Sequence, residues 1–164
     1  MAALQTAPQV QTIPLVDPAA TEALAATFAA RLAPGDIIAL TGDLGAGKTV
    51  FARALIRSLG RACGIDIEHV PSPTFTLVQL YELSDFTLYH FDLYRLEEPE
   101  EVWEIGIEDA FAGGVSVIEW AERIEHLLPM RHIRIDLAFG SDETARIATV
   151  TGLETKLATG PETT

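Results

Sequence analysis

The chain is predicted to fold as a three-layer α/β sandwich around a mixed, mostly parallel sheet that carries one antiparallel hairpin. Three observations predict it. Short apolar runs alternate with amphipathic stretches from residue 10 to 152. One apolar run leads through a glycine-rich turn directly into an amphipathic stretch. Two β-rich runs, Phe75–Glu82 and Phe86–Leu93, are joined only by Leu83-Ser84-Asp85 and read as a hairpin.

Taken in order, Gln11–Val16 reads as a strand. Asp17-Pro18 is a helix start, because Asp caps free N–H groups and Pro fits the first turn. The helix that follows carries Leu24, Phe28 and Leu32 on one stripe. A Pro34-Gly35 turn leads into the buried strand at 37–41. Val50–Leu59 is helical, with Phe51, Leu55 and Leu59 one turn apart. After the hairpin, Glu98–Trp103 and Gly106–Phe111 read as short helices. Val115–Ile118 is a buried strand ended by Glu119, and a short helix spans Ala121–His126. Ile133–Phe139 and Arg146–Thr151 close the sheet. No internal repeat or low-complexity block interrupts residues 10–151. The Ala-, Thr- and Pro-rich ends, 1–9 and 153–164, are expected to be flexible tails on a single domain spanning 10–152.

The turn itself, Gly42-Asp43-Leu44-Gly45-Ala46-Gly47-Lys48-Thr49, matches G-x-x-x-x-G-K-[ST]. Between a strand and a helix, that spacing is a phosphate cradle. Glycines let backbone N–H groups approach phosphate oxygens, and the helix start adds free donors and the positive end of its dipole. Asp43, Leu44, Gly45, Ala46, Gly47, Lys48, Thr49 and Val50 are therefore the expected nucleotide-binding residues. Lys48 reaches the outer phosphates, and the Thr49 hydroxyl is suited to Mg²⁺. Only two lysines occur in the chain, Lys48 and Lys156, and one holds the loop position. The expected architecture is thus a P-loop NTPase sandwich binding ATP or ADP with Mg²⁺.

Bulk composition narrows the class. With 164 residues, 48% of them apolar and 21% charged, the chain is of single-domain size and can bury a core without staples. No apolar stretch is long enough to span a bilayer, and no basic-then-apolar leader opens the chain, so a cytoplasmic, non-membrane protein is expected. A single cysteine, Cys63, excludes an internal disulfide and suits a reducing compartment. The net charge of −13 opposes tight, independent binding to a nucleic acid backbone. Any nucleic acid in the pathway is expected to be held by a partner. Arg53, Arg57 and Arg61 recur every fourth residue, as a solvated helix face or a surface for an acidic partner would.

In open α/β sheets ligands collect beyond the carboxyl ends of the strands, so acids that end apolar strands are the candidates for chemistry. Asp92 ends Phe86–Phe91 and Glu119 ends Val115–Ile118. Either could be an ordinary strand-end cap, but a P-loop needs an acid for the metal or its water. Glu119, on the strand that reads as central, is the expected metal acid alongside Thr49. Asp92 is expected to order a ligand water or the attacking water. With Lys48, these two acids form the expected catalytic set. Pro71-Ser72-Pro73-Thr74-Phe75-Thr76 fits either a nucleotide-sensing switch, with Thr74 near the γ-phosphate, or a Pro-stiffened turn. His90 alternates with aromatic residues and reads as a half-buried structural histidine. His69, His90, His126 and His132 show no metal-ligand spacing. Trp103 and Trp120 read as core or rim anchors, with Trp120 placed to report nucleotide by fluorescence.

Four blocks occur in order: the glycine loop at 42–49, Ser-Pro-Thr-Phe at 72–75, His-Phe-Asp-Leu-Tyr-Arg-Leu at 90–96 and Ile-Glu-Trp at 118–120. Together they resemble the TsaE family, small bacterial ATPases of tRNA threonylcarbamoyladenosine synthesis, over residues 11 to about 151. The resemblance implies an ATPase of low activity alone that works with a TsaB–TsaD pair modifying adenosine 37 of tRNA. It implies Mg²⁺ held by Thr49 and Glu119, Asp92 near the γ-phosphate, and adenine near Asp17–Thr21. Two other readings stand beside it. A small P-loop kinase would need an acceptor pocket and an arginine lid, and the spacing of Arg123, Arg131 and Arg134 suggests no lid. The third reading is a non-hydrolysing nucleotide-sensing module. Guanine specificity through Asn-Lys-x-Asp is ruled out, because the chain contains no asparagine.

Overall fold

The computed structural model describes residues 9–152, so the expected tails at 1–9 and 153–164 lie outside it, apart from Gln9. The strands are β1 (Val10–Leu15), β2 (Ile37–Thr41), β3 (Val78–Glu82), β4 (Thr87–Asp92), β5 (Val115–Glu119), β6 (Ile133–Phe139) and β7 (Arg146–Thr151). The helices are α1 (Pro18–Ala29), α2 (Lys48–Ala62) and α3 (Ile107–Gly113), with 3₁₀ segments at Pro99–Ile105 and Ala121–Leu127. The strands form one seven-stranded sheet in the order β1-β7-β6-β2-β5-β4-β3. Its centre is parallel, with β2 between β6 and β5, and β4 next to β5. Antiparallel pairs flank it: β1 with β7 and β7 with β6 on one side, β3 with β4 on the other. This is the expected mixed sheet with its hairpin.

Parallel strands covered on both faces should be apolar throughout. All residues of β2 and of β5 are buried. One face carries α1 and α2, whose Phe28, Phe51, Leu55, Ile56 and Leu59 pack over Ile38, Leu40, Val115 and Val117. On the other, Val102, Ile107, Ala110 and Ile124 cover Ile37, Ala39, Phe91 and Ile118. Each large apolar side chain among them contributes about 1.5–3 kcal/mol by leaving water, so the two layers hold the strand ends in place.

The α1 cap forms as expected: Ala20 N–H donates to Asp17 Oδ1 at 2.8 Å, with Pro18 as the first helical residue. Leu24, Phe28 and Leu32 pack against the core as expected, Phe28 buried and the two leucines partly so, with Leu32 just beyond the helix end. Thr21, Ala25 and Ala29 are buried beside them, where α1 lies against α2 and Phe28 meets Phe51 edge-on at 6.1 Å between ring centroids. β3 also begins three residues later than the β-rich run, because the chain at 74–76 turns and Leu77 adopts a positive φ of 67°.

Candidate functional site

β2 delivers the chain to the glycine loop at the carboxyl edge of the sheet. Gly42 leaves the strand with φ 135° while passing β6, where a Cβ would overlap the Leu137 carbonyl oxygen. Only glycine fits that passage. Gly47, at φ 110°, is the N-cap of α2 and has no side chain between the first-turn amides and a ligand.

Lys48 opens α2 and is only 5% exposed. Its ammonium donates to the carbonyls of Gly42 and of Asp43, the latter at 2.9 Å. The Trp120 ring covers it, with Nζ 3.9 Å from the ring centroid. An isolated buried ammonium costs several kcal/mol, so these contacts keep the charge inside the site. Burial pulls the Lys48 pKa below its ordinary value, opposed by the charges of Glu122, Glu119, Asp43 and Asp92. Trp120 holds its position over the lysine in a left-handed conformation, φ 61°, and packs on Tyr94 with centroids 4.9 Å apart.

Thr49 Oγ1 donates to Glu119 Oε1 at 2.6 Å, joining the start of α2 to the end of β5. Glu119 is 1% exposed, and its Oε2 lies 2.7 Å from Nε2 of His90. His90 is therefore more than the half-buried structural histidine expected: it is fully buried and bonded to the candidate metal acid. Asp92 is also buried. Its Oδ1 accepts from Tyr94 N–H at 3.1 Å, and the Ser72 and Thr74 hydroxyls lie loosely at 3.4 and 3.3 Å from Oδ2. Thus the Ser-Pro-Thr loop is tied to the second acid, and Lys48, Thr49, Asp92 and Glu119 converge at one edge.

Among the described residues no group of three or more His, Cys, Asp or Glu side chains forms a ready-made metal site. The donors present are hard oxygens, a hydroxyl beside a carboxylate. Such a set fits Mg²⁺, which keeps waters and takes phosphate ligands, better than a softer metal.

Two recesses adjoin the loop. One, about 180 Å³, is walled by Lys48, Thr49, Glu119 and Trp120. The other, about 150 Å³, lies between Pro18 and Thr21 of α1 and Glu143, Thr144 and Arg146. Sequence reasoning missed the latter three. Glu143 and Thr144 belong to the β6–β7 connection and Arg146 opens β7, far away in the chain, where its guanidinium donates to Gly45 O at 3.3 Å. A cleft of about 210 Å³ at the opposite end of the strands includes Pro34, Arg131 and His132 but none of the glycine-loop residues. The arginine row of α2 is partly structural: Arg53 and Arg57 donate to the carbonyls of Val70 and Glu68, leaving Arg61 exposed. No helix among the described residues is long and apolar enough to cross a membrane.

The model of a protein family described as "Threonylcarbamoyl adenosine biosynthesis protein TsaE" matches residues 15–147. The tRNA threonylcarbamoyladenosine biosynthesis protein TsaE of Rickettsia bellii is 46% identical over 123 residues, 75% of this chain and 83% of that protein. The protein of the same name from Bacillus subtilis is 39% identical over 133 residues, 80% of each. The crystal structure of B. subtilis YdiB superposes with a TM-score of 0.66 at 31% identity, over 90% of this chain and 88% of that one. The matched span contains the glycine loop, both acids and His90, and the chain belongs to the TsaE family of tRNA threonylcarbamoyladenosine biosynthesis.

Proposed function

We propose that the chain is an ATPase that binds ATP with Mg²⁺ and hydrolyses it in concert with a TsaB–TsaD-type complex. That complex carries the threonylcarbamoyl modification of adenosine 37, and tRNA meets this protein only through it. The observation that carries the reading is the 2.6 Å contact of Thr49 Oγ1 with Glu119 Oε1, which joins the phosphate loop to a buried acid. In this reading the amides of residues 43–50 hold the phosphates, and Lys48 neutralises their outer charge. Thr49 and Glu119 would hold Mg²⁺, which when bound supplies positive charge to the phosphate oxygens. Asp92, steadied by Tyr94 N–H, orients the attacking water. The recess beside Pro18 and Thr21 supports a reading in which adenine lies near the start of α1.

Incubation with γ-labelled ATP tests the reading. Slow release of free phosphate is expected from the protein alone, with acceleration on adding a TsaB–TsaD pair. Label passing to a metabolite from cell extract would favour the kinase reading, and nucleotide binding without turnover the sensor. Turnover that stays flat over a full partner titration overturns the coupled ATPase.

A further inference from the structure

We propose that His90 is the positioning residue of Glu119, setting which carboxylate oxygen faces the phosphate loop. The inference rests on the Mg²⁺–nucleotide reading above and goes beyond it, since neither the glycine motif nor a strand-end acid requires a histidine.

The argument starts from register. On β4, His90 and Asp92 share a face, because side chains alternate along a strand. His90 pairs with Val117 and Asp92 with Glu119 across the parallel β4–β5 ladder. Two carboxylates thus stand side by side at the sheet edge, both buried. Like charges directly opposed across a sheet repel, so each needs donors of its own. Asp92 takes the Tyr94 N–H. Glu119 takes the Thr49 hydroxyl on Oε1 and His90 Nε2 on Oε2, 2.6 and 2.7 Å away.

An ionised carboxylate only accepts, so Nε2 is the donor in this contact and Nδ1 takes no part in it. Nδ1 is buried and has no hydrogen-bond partner among the described residues. A buried polar atom without a partner weakens the fold, and an apolar side chain on this strand would avoid the cost. The histidine is therefore placed for its contact with Glu119 rather than for packing. With Oε2 held from the β4 side, Glu119 turns its other oxygen toward the phosphate loop. It presents Oε1 alone, next to the Thr49 hydroxyl. A single well-aimed oxygen suits a small ion that keeps its waters, and orientation from behind is the common role of groups bonded to metal ligands.

The test is ADP binding by calorimetry in EDTA and over a Mg²⁺ titration, for wild type, His90→Leu and His90→Gln, with folding checked by circular dichroism. Glutamine places an amide N–H close to where Nε2 stands. In His90→Leu the Mg²⁺ concentration for half-maximal enhancement is expected to rise about 10–100-fold, with ADP affinity in EDTA unchanged and the Mg²⁺ response regained in His90→Gln. Should His90→Leu fail to fold, His90→Asn serves, being polar but too short to reach Oε2. A wild-type Mg²⁺ response in the folded variant, or an equal loss with and without metal, overturns the positioning role. Absence of any Mg²⁺ enhancement in the wild type is a different result, and it overturns the magnesium reading together with this inference.

Discussion

Asp92 and Glu119 are direct partners in the parallel β4–β5 ladder, so the two acids of the site occupy neighbouring strand ends. Their environments separate their roles. Glu119 is bound to Thr49 of the phosphate loop, whereas Asp92 faces the hydroxyls of Ser72 and Thr74. Glu119→Ala is expected to weaken the Mg²⁺ dependence of nucleotide binding, and Asp92→Asn is not. A wild-type Mg²⁺ titration in Glu119→Ala would move the metal to Asp92.

Asp92→Asn is expected to act on turnover instead. A group that orients or activates the attacking water contributes about 10²–10⁴-fold. Phosphate release in the presence of partners should fall by at least the lower figure while ADP binding persists. Equal losses in binding and turnover would show that Asp92 holds the loop rather than the water.

Lys48 and Trp120 yield a spectroscopic prediction. The indole lies 3.9 Å from the ammonium, so phosphates that draw the lysine outward must change the surroundings of the ring. Nucleotide should shift the emission of the wild type, and Trp120→Phe should lose that response while keeping Trp103 as background. Lys48→Ala removes a charged donor worth about 1.5–3 kcal/mol, so nucleotide affinity should fall roughly 10–150-fold or more. Calorimetry showing wild-type affinity would remove the lysine from the site.

Gly42→Ala is expected to be a folding defect before it is a binding defect. The added Cβ meets the Leu137 carbonyl, and φ 135° is unfavourable for alanine. Overpacking of this kind costs about 1–3 kcal/mol, which for a chain this size lowers Tm by roughly 2–12 °C. Thermal melts without nucleotide would reveal it, and an unchanged Tm would mean that β6 yields at this point.

Asp142 supplies a pH-dependent term. Its Oδ1 accepts from Ala145 N–H, Thr144 N–H and the Thr144 hydroxyl, and these bonds hold its carboxyl below the ordinary 3.8. A depressed acid stabilises the folded state above its unfolded value, and the contribution is lost as pH falls through the lower folded value. The stability gap between wild type and Asp142→Asn should therefore be constant near neutrality and close below about pH 4. A gap that persists into stronger acid would place its origin elsewhere.

The strand–loop–helix at 37–62 was legible in the sequence because its signals are local: an apolar run, glycines at fixed spacing, and a buried stripe of Phe51, Leu55 and Leu59. The alternation of elements also carried the sheet's class. The α1 stripe of Leu24, Phe28 and Leu32 was legible too, whereas the burial of Thr21 and Ala25 against α2 was not, since no helical period reveals it. Asp92 and Glu119 were found as strand ends, yet the His90 contact depends on a register between segments 29 residues apart. Arg146 escaped for the same reason, at a separation of 101 residues from Gly45. One signal for His90 was present, its position two residues before Asp92 and so on the same face of the strand.

The bond from Arg146 to Gly45 ties the nucleotide loop to a strand that arrives almost at the end of the domain. That strand is in turn zipped along its outer edge to Val10–Leu15. A fragment trimmed to start at β2 would retain every letter of the glycine signature and still lack the brace behind it. In this architecture the support of the glycine loop is far longer than the motif itself, and cloning boundaries or affinity tags placed against the first strand will be felt at the loop end of the sheet.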